Sequence, residues 1–124
     1  MTQRKFFALL ILFTILFGWQ CGYERTAPDE LVGTWVTPAP KYADRFFKIT
    51  KDTITFGTGE ENVESYTIKK ITIKKGPAEA GMLYTIYYKN EKGAKYQFAL
   101  YHSPEKGGVI RLKNQTHIEW IKQQ

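Results

Sequence analysis

From residue 31 onward the chain alternates. Leu31-Val32-Gly33-Thr34-Trp35-Val36-Thr37 places large and small residues at period two, with Gly33 and Trp35 on one face. That period puts successive side chains on opposite sides of a strand, so the run predicts a first strand with a buried face. Pro38-Ala39-Pro40 closes it. Residues 45–50 follow with Phe47 and Ile49 on one side. Lys51-Asp52 predicts a tight turn into 53–56, where Ile54 and Phe56 face in and the threonines face out. Gly57-Thr58-Gly59-Glu60-Glu61 reads as a loop.

Residues 63–75 change phase midway. Tyr66 and Ile68 share one parity, whereas Ile71 and Ile73 have the other. A β-bulge near Lys69-Lys70 returns all four to the interior; the competing reading is two strands and a kink. Gly76-Pro77-Ala78-Glu79-Ala80-Gly81 predicts a loop, and Asn90-Glu91-Lys92-Gly93 a hairpin turn between strands at 82–89 and 95–102. Tyr96, Phe98 and Leu100 face inward. Strands at 109–113 and 117–122 end the chain, with Ile110, Leu112, Ile118 and Trp120 inside. No helical period runs beyond a few residues. Eight strands joined by short loops predict an all-β fold, an eight-stranded antiparallel up-and-down barrel. Eight strands close with an interior just wide enough for side chains or one small ligand. A Gly two residues before a Trp gives such a barrel a bulky plug with room for backbone beside it.

The chain before residue 31 follows another pattern. Arg4 and Lys5 precede an apolar run at 6–17, interrupted only by Thr14. At helical rise it spans roughly 18 Å, short of a hydrocarbon core of about 30 Å. That predicts an export signal over residues 1–20 rather than a membrane span. Gly18-Trp19-Gln20-Cys21 follows, and residues 22–30 turn polar with Pro28 and four charged side chains, predicting an extended tether.

The apolar run ending at the only cysteine resembles a bacterial lipoprotein signal. The resemblance implies that Cys21 becomes the first mature residue and carries palmitate-type acyl chains. With Gly22 next, it implies delivery to the outer membrane, facing the periplasm. Gly33-Thr34-Trp35, the meander and a closing strand with Trp120 make residues 31–124 resemble a lipocalin-like (calycin-type) barrel, more narrowly the small lipocalin-like lipoproteins of bacterial envelopes. That family's longer members also pack a helix on the barrel, and nothing in this chain reads as one.

Hydrophobic residues make up 43% of the chain and aromatics 15%, so a packed sheet is expected rather than disorder. Removing Arg4 and Lys5 from the 18 basic residues leaves 16 against 12 acidic, a mild +4. The lysines are scattered along alternating positions, which suits a solvated exterior or attraction to an anionic membrane surface. Nucleic-acid binding needs a denser stripe and is not expected. One cysteine permits no internal disulfide. His102 and His117 are the only histidines, so no three-ligand metal spacing occurs and no cofactor is expected. His102 shares the parity of Tyr96, Phe98 and Leu100 and falls at the rim. Ser103 precedes Pro104 in a turn, and Glu60, Glu61 and Glu64 read as a solvated loop edge. The chain is not expected to be an enzyme.

The aromatic set is the remaining chemistry. Trp35, Phe47, Phe56, Tyr66, Tyr84, Tyr96, Phe98 and Trp120, with Tyr88, could line one interior. They either fill it or form an apolar pocket with a few hydroxyl handles for a small hydrophobic ligand. Two functions follow: an envelope-anchored ligand carrier, or a periplasmic inhibitor or scaffold that meets an envelope protein through its loops and has no cavity.

Overall fold

A computed structural model describes residues 22–59, 62–77 and 79–124. The expected signal segment, Cys21, and the loop residues Glu60, Glu61 and Ala78 lie outside the described residues. Nine strands occur among the described residues: β1 Gly22–Glu24, β2 Gly33–Val36, β3 Arg45–Ile49, β4 Thr53–Thr58, β5 Val63–Lys75, β6 Met82–Lys89, β7 Lys95–Ser103, β8 Val109–Leu112 and β9 Gln115–Lys122. From β2 to β9 each strand pairs antiparallel with the next. β9 returns to β2 through Trp35↔Lys122 and Val36↔Ile121, so these eight strands form a closed up-and-down barrel.

The alternation sets the two faces. Trp35, Phe47, Ile49, Ile54, Ile86, Leu100, Ile110, Ile118 and Trp120 are buried inside. The phase change in β5 is a register shift between Ile68 and Lys70, so 63–75 is one bulged strand and not two. Ile68 and Ile71 are both buried as a result. The turns follow from side-chain chemistry. Asn90 Oδ1 accepts from the backbone N–H of Lys92 at 3.0 Å and of Ala94 at 2.9 Å, which closes the β6–β7 hairpin. Thr50 and Thr53 pair their hydroxyls at 2.6 Å across the β3–β4 turn.

The residues expected to form a tether behave differently. β1 pairs with the second half of β5, through Gly22↔Ile73, Tyr23↔Thr72 and Glu24↔Ile71. Ala27 is buried and its N–H donates to the Lys51 carbonyl at 2.8 Å. The reason is strand length. β4 pairs with β5 only as far as Thr67, so the rest of that edge is open until β1 covers it. Polarity alone marked 22–30 as a spacer; edge pairing needs backbone, not apolar side chains.

The first barrel strand begins later than its alternation predicts. Leu31 belongs to a 3₁₀ turn, Asp29–Leu31, and drops its side chain fully into the core. Its carbonyl accepts the Trp35 indole N–H at 2.9 Å, which holds the entry turn against β2. Gly33 has a φ of 148°, and a Cβ there would meet the Lys122 side chain at 3.0 Å. The room beside Trp35 is therefore taken by the Lys122 stem, whose ammonium lies 5.3 Å from the Trp35 ring centroid. Gly57 is used on the outer face, where the Phe46 ring lies on its backbone in the space of a Cβ.

Replacing Trp35 by Ala is expected to cost about 3–5 kcal/mol, because it empties a large buried volume and frees the Leu31 carbonyl. Denaturant melts of the two proteins measure this. A loss near zero would mean that Trp35 does not anchor the barrel.

Candidate functional site

All eight aromatic candidates sit at inward positions, and the structure joins them into one network. Phe47 is the hub. Its ring centroid lies 6.4 Å from Trp35, 5.1 Å from Trp120 and 5.4 Å from Phe98. Phe98 meets Phe56 edge-on at 5.2 Å. Phe56 leads to Tyr66 at 6.1 Å and Tyr88 at 5.8 Å, and Tyr66 to Tyr96 at 5.8 Å. Such stacked, tilted and edge-on rings are mutually attractive as well as space-filling. Phe47 on β3 reaches Phe98 on β7 across the barrel axis, so these rings fill the interior.

At the Trp35 end the barrel is shut by the 3₁₀ turn. Tyr84 donates its hydroxyl to the Glu30 carboxylate at 2.6 Å. His102 stands edge-on to both Trp35, at 6.1 Å, and Tyr84, at 6.2 Å. Burial raises the Glu30 carboxyl, but the Tyr84 hydroxyl, a backbone N–H and the charges of His102 and Lys122 outweigh it, leaving a net lowering. Burial pushes the His102 imidazole down; Glu30 opposes this and Lys122 adds to it. Burial, then the bond to Glu30, raises the Tyr84 phenol. Glu30 and Lys122 escaped the sequence reading, and Leu31 reads there as the start of the first strand rather than as part of this plug. For Lys122 a signal existed: it shares the inward parity of Ile118 and Trp120. Glu30 offered none, since it preceded the first expected strand.

The opposite end is open and aromatic. Tyr96 is 45% exposed and stacks on Tyr88 at 5.5 Å, so its place is on the rim. Tyr66 donates to Glu64 at 2.6 Å, and that bond, with burial and the Glu64 charge, pushes its phenol up to about 12. A cleft of about 200 Å³ enters between Tyr42, Phe47, Phe56, Phe98, Leu112 and Trp120, and its wall is almost wholly apolar. Gln115 donates to the Tyr42 hydroxyl across its edge at 3.1 Å. Among the described residues Trp120 Nε1 is buried with no hydrogen-bond partner, a deficit worth about 1–3 kcal/mol.

Beside this cleft the sheet is split. β8 pairs with β7 only over Leu100 to Ser103, and the Lys113 N–H reaches the Ala99 carbonyl. Below that point, residues 95–98 have no strand on their β8 side among the described residues. A notch of about 590 Å³ lined by Gln97, Phe98, Ala99, Leu112, Lys113, Asn114 and Gln115 marks the gap. Cleft and notch share Phe98, Leu112 and Gln115, so they form one mouth. Among the described residues no group of His, Cys, Asp and Glu is placed to hold a metal.

These features define a class: a closed eight-stranded antiparallel up-and-down barrel, packed inside, plugged at one end and open at the other. Comparison with known proteins returns no matching family model, no matching curated protein and no significantly matching solved structure.

The closed end carries a pH dependence. An imidazole whose folded pKa is depressed binds its proton more readily when unfolded. Stability is therefore full above the unfolded value, about 6.5, and falls as the pH drops below it. Glu30, also depressed, adds to the loss at lower pH, below about 4.3. Denaturation midpoints measured from pH 8 to 5 should fall for the wild type and stay flatter for His102→Phe. Parallel curves would remove His102 as the cause.

Proposed function

We propose that this protein is an envelope-anchored lipoprotein of lipocalin-like build that works by binding another envelope protein at its open mouth. The observation that carries the reading is the filled interior. With Phe47, Phe98 and Phe56 in contact across the axis, the space a carried lipid needs is taken by side chains. The apolar run ending at Cys21 supports export, acylation and placement at the outer membrane, facing the periplasm.

The mouth suits a protein partner. An extended segment can pair with the free edge at 95–98 and set an apolar side chain into the adjoining cleft. A carbonyl carried in by that segment is also the kind of acceptor that Trp120 Nε1 lacks. The reading is of a binding protein, without a reaction or cofactor.

A second reading has one observation in its favour. The apolar wall of the cleft suits a small hydrophobic ligand. Its volume of about 200 Å³ is below the roughly 300–1,000 Å³ of ordinary small-molecule pockets, so a single ring or the end of an acyl chain is the limit.

Three measurements test this. A photoreactive residue in place of Gln97 should crosslink an envelope protein in cells, and filling the cleft by Gln115→Trp should abolish that product. An apolar environment-sensitive dye should not enter the barrel, and Leu100→Trp should lose about 1–3 kcal/mol through overpacking. Dye bound one per chain, with Leu100→Trp as stable as wild type, would instead restore the ligand carrier. Radioactive fatty acid should label the wild type and not Cys21→Ser; equal labelling rejects the anchor.

A further inference from the structure

The outer wall formed by the second half of β5, with β6 and β7, is charged with one sign. Residues 69–75, 82–89 and 95–103 contain no Asp or Glu. They contain Lys69, Lys70, Lys74, Lys75, Lys89 and Lys95. The register puts Lys70, Lys74, Lys89 and Lys95 on the outer face, opposite in parity to buried Ile71, Ile86 and Leu100. Lys69 stands at the bulge, and Lys75 ends the strand, both exposed.

Two details set this wall apart from an ordinary solvated surface. Lys89 and Lys95 lie directly opposite each other on paired strands, an arrangement that opposes folding. Aromatic side chains are interleaved with the lysines. Lys70 Nζ lies 4.9 Å from the Tyr87 ring centroid, Tyr101 flanks Leu83 on the same face, and Tyr23 on β1 is 62% exposed. The carboxylates sit elsewhere. Glu105 and Glu119 pair with Arg111, and Glu64 is held by Tyr66. Glu24 stands on the other face of β1, level with Ile71. Glu91, in the hairpin turn between Lys89 and Lys95, and Glu79, in the turn after β5, are the acidic residues that border the wall along the chain, and both lie at its ends rather than within it.

The wall also borders the point where the chain enters the fold. Gly22, the first of the described residues, is already paired with Ile73, the neighbour of Lys74 on β5. We propose that this wall lies against an anionic membrane surface, its lysines on lipid phosphates and its tyrosines at headgroup depth. The bulge, β1 and the hairpin after Lys75 bring cationic and amphipathic side chains to the side where the described chain begins, at Gly22. Long lysine stems reach such a surface without burying the barrel. The placement of the bilayer rests on the lipoprotein reading, whereas the distribution of charge does not.

The test is a lysine footprint on the full, processed protein. It is purified from membranes and reconstituted into vesicles of phosphatidylcholine alone or of phosphatidylcholine with phosphatidylglycerol. An amine-reactive reagent is applied, and modification is read at each lysine by mass spectrometry. Lys70, Lys74, Lys89 and Lys95 should be protected about fivefold in the anionic vesicles relative to the neutral ones. Lys41 and Lys48, exposed on the far side, should react equally in both. Protection should disappear at roughly 0.5 M salt, where charge is screened over a few Å. Equal modification of every lysine in the two vesicle types overturns the proposal. So does protection seen in cells but in neither vesicle, which assigns the wall to an acidic protein. The mass of the N-terminal peptide in the same digest reports acylation of Cys21 separately, so failure of the anchor and failure of the wall are told apart.

Discussion

A closed sheet of eight short strands encloses a space about one layer of side chains across, and something must occupy it. Here Phe47 does so from one wall and Phe98 from the opposite one, their ring centroids 5.4 Å apart. Much of the rest is a consequence of that meeting. Trp35, Trp120 and Phe56 pack around the pair and leave the polar groups to the two ends of the barrel. Strand number and stagger set the barrel's girth, and rings that large use up the room inside it, so small residues are needed where chain or stem must pass close by. Gly33 makes way for Lys122, and Gly57 for Phe46 on the outside. The free volume left over is displaced to the mouth, where β8 parts from β7.

The two ends are unlike because the chain enters at one of them. Residues 22–32 cover the exposed edge of β5, cross the β3–β4 turn through the Ala27 bond, and push Leu31 into the barrel. The same segment brings Glu30 to Tyr84, with His102 and Lys122 close enough to affect its charge. An acid, a base and a phenol thus share a half-buried space at the plugged end, balanced by contact rather than by water. The open end has no such plug, only tyrosines and a strand edge.

Strand order, the hairpin at Asn90 and the bulge near Lys69 were all legible, because period two and turn residues are local properties. Parity alone put Phe47, Phe56, Phe98 and Trp120 on the inner face. Whether they would fill the space or surround it was not legible, since that depends on how far the walls stand apart. The role of residues 22–31 was hidden for another reason. A backbone ladder such as β1–β5 leaves no mark in composition, and Leu31 looked like the start of a strand instead of a plug. Tyr96 shared the inward parity and still came out at the rim, because its level along the barrel, unlike its face, is set by strand stagger. The one-signed wall was present in the sequence as three acid-free stretches. Only register shows that they are neighbours.

The seam between β2 and β9 has a consequence for how the chain reaches this state. Every other pair in the barrel joins consecutive strands, so each can form soon after its own hairpin closes. β2 and β9 hold each other by two residue pairs across nearly the whole length of the domain. Ordering so long a loop is unfavourable until the rest of the meander has brought the ends together, so closure comes last on the folding route. What opens last-in, first-out is that seam. Amide exchange in the native protein should therefore be governed there by local opening, held back by the Gln123 N–H bond to the Thr34 carbonyl and the Lys122 contact on Trp35 that cross the seam.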